Sequence, residues 1–204
     1  MQLVLASGSS GRKMLMQRLQ LPFVCIVPDI DESIYPGEHP ESLVMRLART
    51  KAEKVKTQLQ QNKKQRDQKA PSLIIAADQI AHIGQTILNK PETRTRARKQ
   101  LATMSSQQVT FLTGLCVLHQ QTNTRYEVLS PYTVGFRVLD AKSIDAYLDK
   151  EQPLQCAGSF KSEGLGIALV RYFKGDDPSS LIGLPLIHLT SILATEGINI
   201  LPAS

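Results

Sequence analysis

Residues 3–19 read LVLASGSSGRKMLMQRL: an apolar run, then Ser7-Gly8-Ser9-Ser10-Gly11, then apolar residues returning at helical spacing. The reading is a buried strand over residues 2–6, a small-residue loop, and a helix whose Met14, Leu15, Arg18 and Leu19 form one stripe. Such a loop presents unpaired backbone N–H groups and the positive end of a helix dipole, which suits a phosphate. Arg12 and Lys13 at the mouth of the helix add direct charge. The spacing is neither G-x-x-x-x-G-K-[ST] nor G-x-G-x-x-G. Taken alone, the loop fits a phosphate site and an ordinary serine-capped turn equally well.

Outward from this unit the chain keeps alternating. A strand near 23–28 leads into Pro28-Asp29-Ile30-Asp31-Glu32. Pro40 then opens a long amphipathic helix with Leu43, Val44, Leu47, Val55 and Leu59 on one side and Lys51 within it. Polar residues 61–71 predict a loop. Residues 72–77 are a short apolar run that stops at Asp78-Gln79, placing an acid at a strand's carboxyl end, where open α/β sheets put their chemistry. Residues 80–83 and 86–88, joined around Gly84-Gln85, predict a hairpin, and Thr93 caps the helix after Asn89-Lys90-Pro91. Residues 107–118 and 125–138 predict an antiparallel pair, and Asp140 caps a helix to Lys150. The loop 156–164 precedes a strand near 166–173, and a last helix runs from near Leu184-Pro185 to Gly197. These elements predict a mixed α/β architecture, its sheet not purely parallel, in one domain over residues 1–204.

Composition sets outer bounds. With 204 residues, 42% hydrophobic and 21% charged, the chain has the make-up of a soluble globular protein able to bury a core. No apolar run approaches the roughly 20 residues that span a bilayer. The opening MQLVLASGSS lacks a basic stretch before its short apolar run, so it predicts a strand rather than a secretory leader, and a cytoplasmic location. Cys25, Cys116 and Cys156, far apart in apolar stretches, predict reduced core thiols. His39, His82, His119 and His188 are scattered and receive no role. The net charge of +6 implies an attraction to anions, with much of the excess in residues 62–69 and 94–99. Neither run is interleaved with aromatic residues, so they predict a solvated loop and a solvated helix face.

The acids are the other chemical signal. Asp29, Asp31 and Glu32 follow one predicted strand and Asp78 follows another. One or two carboxylates plus substrate phosphates are what magnesium accepts, and a carboxylate can take a proton from an attacking water. Segment by segment, solvated loop acids would look the same.

In order and together, the pieces resemble the Maf family. LVLASGSSGRKMLMQRLQLPFVCIVPDIDE is similar to that family's opening signature. LARTKAEKV around Lys51, IIAADQI around Asp78, LNKP around Lys90, FLTGL at 111–115 and CAGSFKSEGLG at 156–166 follow in the expected sequence. The resemblance spans nearly the whole chain. It implies a Maf/ITPase-like mixed sheet flanked by helices, with two lobes around a central cleft, often assembled as a homodimer. It implies hydrolysis of a nucleoside triphosphate to a monophosphate and pyrophosphate with a divalent metal, Mg, Mn or Co. By the same resemblance Asp78 is the proton acceptor, Glu32 and Asp78 bind metal, and Ser7, Arg12, Lys13, Lys51 and Lys90 hold the triphosphate. Gly11, Gln79 and Glu163 fall at positions tied to substrate choice.

DQI at 78–80 and FKSEG at 160–164 are most similar to the subfamily that hydrolyses 7-methyl-GTP, rather than to the branch acting on dTTP and UTP. A carboxylate at Glu163 suits the N1–H and exocyclic amine of guanine, and suits a base made cationic by N7 methylation. One departure stands out: the family has a proline and then a large or basic residue before the arginine, where this chain has Ser10-Gly11. A tryptophan there in some members would stack on the methylated base, and Gly11 cannot. The second basic residue survives only as Lys13, which weakens any bidentate arginine contact there.

A different class of function, a non-catalytic nucleotide- or nucleic-acid-binding regulator of cell division, would use the basic runs and weaken steeply with salt. Charge reversal at Arg94, Arg96, Arg98 and Lys99 separates the two, since it should abolish such binding and leave pyrophosphatase turnover intact. The partners expected are a nucleotide substrate and a second copy of the chain, with neither membrane nor nucleic acid.

Overall fold

The computed structural model describes residues 1–61 and 71–201; the basic run at 62–69 and nearly all of the predicted loop at 61–71 fall outside the described residues. β1 (Gln2–Leu5) pairs in parallel with β2 (Phe23–Cys25) on one side and β3 (Ser72–Ile83) on the other. Parallel neighbours need helical crossovers, supplied by α1 (Ser10–Arg18) and α2 (Pro40–Gln61). The chain then changes style. β4 (Thr86–Leu88) folds back on β3, α3 (Arg94–Met104) follows, and β5 (Gln108–His119) and β6 (Arg125–Phe136) extend the sheet antiparallel. After α4 (Ala141–Glu151), β7 (Val170–Lys174) pairs with β6, and α5 (Leu186–Thr195) closes the described chain. The sheet runs β2-β1-β3-β5-β6-β7, with β4 beside β3. The mixed α/β expectation therefore holds. Among the described residues no helix is long and apolar enough to cross a membrane.

Local chemistry explains the helix starts. The side chains of Ser9, Thr93 and Asp140 accept from the backbone N–H of Arg12, Arg96 and Ser143, taking up donors that a helix N-terminus leaves unpaired. Apolar side chains gather at two ends of the sheet. At the parallel end Leu3, Leu5, Leu15, Met16, Leu189 and Leu193 pack on one face and Val4, Ala48, Val55 and Ile74 on the other. At the antiparallel end Leu101, Met104, Phe111, Phe136, Ile144 and Leu148 pack with Phe160. These are the two lobes, and β3 and β5 run through both.

β3 corrects the sequence reading. It spans 12 residues, so Asp78 sits mid-strand rather than at its end. The strand that ends is its neighbour: β1 pairs with β3 only up to Leu5 opposite Ile75, and β4 joins only at Ala81. Residues 76–80 therefore have no strand beside them on that edge among the described residues, and the cleft opens there. The sequence could not show this, because an apolar run that continues as QIAHI after Asp78 reads as a new strand. Smaller corrections follow the same pattern. β2 stops at Cys25, and residues 165–169 form a 3₁₀ turn before β7. In α1 the buried residues are Leu15 and Met16, with Leu19 behind them, whereas Arg18 is exposed. Cys116 is buried as expected, but Cys25 is exposed.

Gly114 on β5 lies directly across from Asp78. A Cβ built there would stand 2.7 Å from the Val44 carbonyl oxygen and 2.9 Å from its carbon, so only glycine lets the α2 backbone settle onto the sheet at this point. Gly114→Ala is expected to destabilise the fold by about 3 kcal/mol, the upper range for overpacking, because rigid backbone must retreat. A thermal melt within about 1 °C of wild type would show that α2 does not need this contact.

Candidate active site

Lys51 lies on the buried stripe of α2 between Leu47, Ala48, Ala52 and Val55. An ammonium on an apolar stripe is costly unless it is paired. Its Nζ is 2.5 Å from Asp78 Oδ1 and 2.6 Å from Glu32 Oε1. Asp78 comes from the centre of β3 and Glu32 from the long loop after β2, so three separated segments meet on one nitrogen. Lys51 and Asp78 are both 6% exposed, while the Glu32 side chain remains about half exposed to the cleft.

Burial raises the Glu32 carboxyl, but the hydrogen bond and charge of Lys51, with the charges of Lys90 and Arg12, more than offset this, and its pKa lies below the ordinary value. A depressed carboxylate contributes stability that is present above its unfolded value and lost as pH falls through the folded one. Melting temperature should therefore drop less between pH 7 and about pH 3.5 in Glu32→Gln than in wild type. An equal drop in both would mean that Lys51 and its neighbours do not hold Glu32 in its charged form.

Arg12 faces the same site from the start of α1. Burial pulls its guanidinium below the ordinary value, and the Asp78 and Glu32 charges partly restore it. Its Nε donates to the Gly183 carbonyl at 2.8 Å and Nη1 to Ser7 Oγ at 3.4 Å. Ser7 Oγ also accepts the Ser9 backbone N–H at 3.1 Å, which curls the loop beside Arg12. Lys90 lines the cleft from the far side and stays exposed.

The strand alternation divides labour at the next residue. Asp78 faces α2, while the Gln79 side chain goes to the opposite face of β3. There its Nε2 donates to Thr113 Oγ1 at 3.1 Å and to the carbonyls of Ser180 at 2.6 Å and Leu181 at 3.1 Å. Thr113 Oγ1 also donates to Ser180 O at 2.9 Å. The turn 178–183 is thus tied to the sheet by Gln79 and Thr113 and to α1 by Arg12. Its far end is fixed by buried Asp177, which accepts the Ser179 and Ile187 N–H groups at 3.0 and 2.8 Å.

Two adjoining cavities of about 490 and 500 Å³ share Arg12, Glu32, Lys51, Gln79, Lys90 and Ala157. Each has the size of a small-ligand site. The first runs from the Ser7–Arg12 loop to Lys161 and Glu163, and the second passes over Asp78 toward Ser33, Asn89 and Glu92. The structure therefore brings together Ser7, Gly11, Arg12, Glu32, Lys51, Asp78, Gln79, Lys90 and Glu163. It does not bring in Lys13, which is exposed on α1 and lines neither cavity, nor Asp29. Asp31 instead holds its own turn, accepting from Ser33 N and Oγ. Sequence reasoning missed Thr113, Lys161 and the carbonyls of 180–183. FLTGL did carry a signal for Thr113, since it sets Thr113 and Gly114 across from Gln79 and Asp78.

Gly11 lines the first cavity, but its Cβ direction points at protein. A Cβ there would stand 3.1 Å from Ile182 Cγ2 and 3.3 Å from its carbonyl oxygen. A larger residue would press on the turn that holds Arg12. The arginines of α3 are engaged elsewhere: Arg94 and Arg98 pair with Asp145, Arg94 also with Asp149, and Arg96 with Glu92.

Comparison with known proteins gives a consistent picture. The profile of the family described as Maf-like protein matches residues 2–196. A 7-methyl-GTP pyrophosphatase of Nitrosococcus oceani is 50% identical over 200 residues, covering 98% of this chain and 95% of that protein. Proteins of the same name from Alcanivorax borkumensis and Vibrio cholerae are 48% and 46% identical, covering 97% and 98% of this chain and 95% and 98% of their own lengths. With the family match running nearly end to end and relatives about half identical over almost the whole chain, this chain belongs to the Maf family.

Proposed function

We propose that the chain is a cytoplasmic nucleoside triphosphate pyrophosphatase that converts 7-methyl-GTP into 7-methyl-GMP and pyrophosphate. The observation that carries this reading is Lys51 held between Glu32 and Asp78 in a cleft also walled by Arg12 and Lys90. Several cations around two acids are what a polyanion and its hydrolysis need. The names of the relatives support the choice of base, as does Glu163 in the same cavity.

The chemistry is an attack by water on the α-phosphorus. A new P–O bond forms there, the bond to the bridging α–β oxygen breaks, and pyrophosphate leaves with that electron pair. Asp78 is the acceptor for the water's proton, and Lys51 holds its carboxylate in place. Arg12, Lys90 and Ser7 bind and orient the phosphates.

A divalent metal fits the donor set. Glu32 and Asp78 already share one cation, the Lys51 ammonium, and two carboxylates plus substrate phosphates suit Mg, Mn or Co. When bound, the ion would supply Lewis-acid stabilisation of charge on the phosphoryl oxygens.

Purified protein with each metal and a panel of nucleotides, with products identified, tests the reading. The expected result is 7-methyl-GMP and pyrophosphate. Release of orthophosphate, or no turnover of any nucleotide, would sink it. Because Ser10-Gly11 departs from the family pattern, dTTP and UTP belong in the panel, and a preference for either would move the chain to that branch. The engagement of Arg94, Arg96 and Arg98 with acids of the same molecule argues against a nucleic-acid surface on α3.

A further inference from the structure

The loop that carries Glu163 joins α4 to β7 and lines the first cavity, and the last residue of α4 sits inside its bend. Glu151 Oε1 accepts from Lys161 Nζ at 2.6 Å, and Oε2 accepts the Leu165 backbone N–H at 2.7 Å. The two contacts lie on either side of Glu163. A Cβ at Gly164 would stand 2.5 and 2.6 Å from the Glu151 oxygens, so the turn is wrapped directly against the carboxylate and a larger residue would displace the Glu151 side chain.

One turn back on the same helix, Tyr147 Oη accepts the Lys161 N–H at 3.1 Å and donates to Ser159 O at 3.3 Å. Residues i and i+4 share a helix face, so α4 grips the loop with two side chains in a row. The Glu151 side chain is 10% exposed, and both of its oxygens face protein partners. The Lys161 hydrogen bond and the Leu165 N–H hold its carboxyl below the usual range, so it remains anionic at neutral pH.

We propose that Glu151 is a positioning residue for base selection: it fixes the 161–165 turn so that Glu163 meets the nucleobase at one set distance and angle. This rests on the 7-methyl-GTP reading of the cleft. Glu151 lines neither cavity, so its loss should blur discrimination rather than stop the chemistry.

The test uses Glu151→Ala and Glu151→Gln in the full chain, with two readouts. In the first, Glu151→Ala raises KM for 7-methyl-GTP about tenfold and cuts its preference over GTP by a similar factor, while kcat changes less than about threefold. Glu151→Gln, which can still accept the Leu165 N–H, falls between. In the second, hydrogen exchange in Glu151→Ala speeds up at the Leu165 amide and across 159–165, with the sheet unaffected. An unchanged nucleotide preference with a lowered melting temperature would overturn the proposal, because it marks a purely structural contact. Unchanged protection at Leu165 would overturn it as well. If the wild type turns over no nucleotide, the functional reading fails by itself, and the exchange result alone decides whether Glu151 sets this turn.

Discussion

Asp78→Asn should lower kcat by about 10³-fold, within the range for losing a general base, and leave a folded protein. Asparagine keeps the size of the side chain and an oxygen for Lys51, but it cannot accept the water's proton. Lys51 would still have Glu32 at 2.6 Å, so it is not stranded in the apolar stripe of α2. The stability loss should then be about 1–3 kcal/mol, that of a weakened buried hydrogen bond. Single-turnover kinetics with 7-methyl-GTP, alongside a thermal melt, reads both quantities. Turnover at the wild-type rate would take Asp78 out of the mechanism. A fall in rate matched by loss of the folded state would leave the role of the carboxylate unsupported.

Lys51→Met is expected to have the second largest effect, and it tests the cation rather than the base. Methionine suits the apolar stripe, but it leaves Asp78 buried and without the ion pair at 2.5 Å. Removing one partner of a buried pair costs about 3–5 kcal/mol. On the chemical side, losing the cation that holds the Asp78 carboxylate in place should lower kcat/KM by roughly 10²-fold. Two carboxylates freed of their ammonium should also bind a divalent ion more tightly without nucleotide. Manganese should therefore raise the melting temperature of Lys51→Met more than that of wild type. Equal shifts would mean that Glu32 and Asp78 do not act as one cation seat.

Much of this site is legible in the amino-acid sequence. The order of Ser7, Arg12, Glu32, Lys51, Asp78, Lys90 and Glu163 along the chain points to one cleft, and all seven line it. Helix starts are also readable, because Ser9, Thr93 and Asp140 act through bonds to residues three positions on. What stays hidden depends on distant partners. The mid-strand position of Asp78 follows from where β1 stops, which no local pattern encodes. Lys13 and Arg12 read alike as neighbouring cations, yet a helix turns adjacent side chains about 100° apart and only Arg12 enters the cleft. The hold of Gly183 on Arg12 spans 171 residues of sequence and leaves no periodic trace.

The opposite facing of Asp78 and Gln79 along β3 has a consequence for how this protein can vary. Side chains on a strand obey parity: an inserted or deleted residue upstream in the strand exchanges the two faces. An insertion would carry the carboxylate to the face of the Ser180 carbonyl, and a deletion would bring the amide to Lys51. Residues 72–77 can therefore drift in identity among apolar types, whereas their number is held at six by the chemistry downstream.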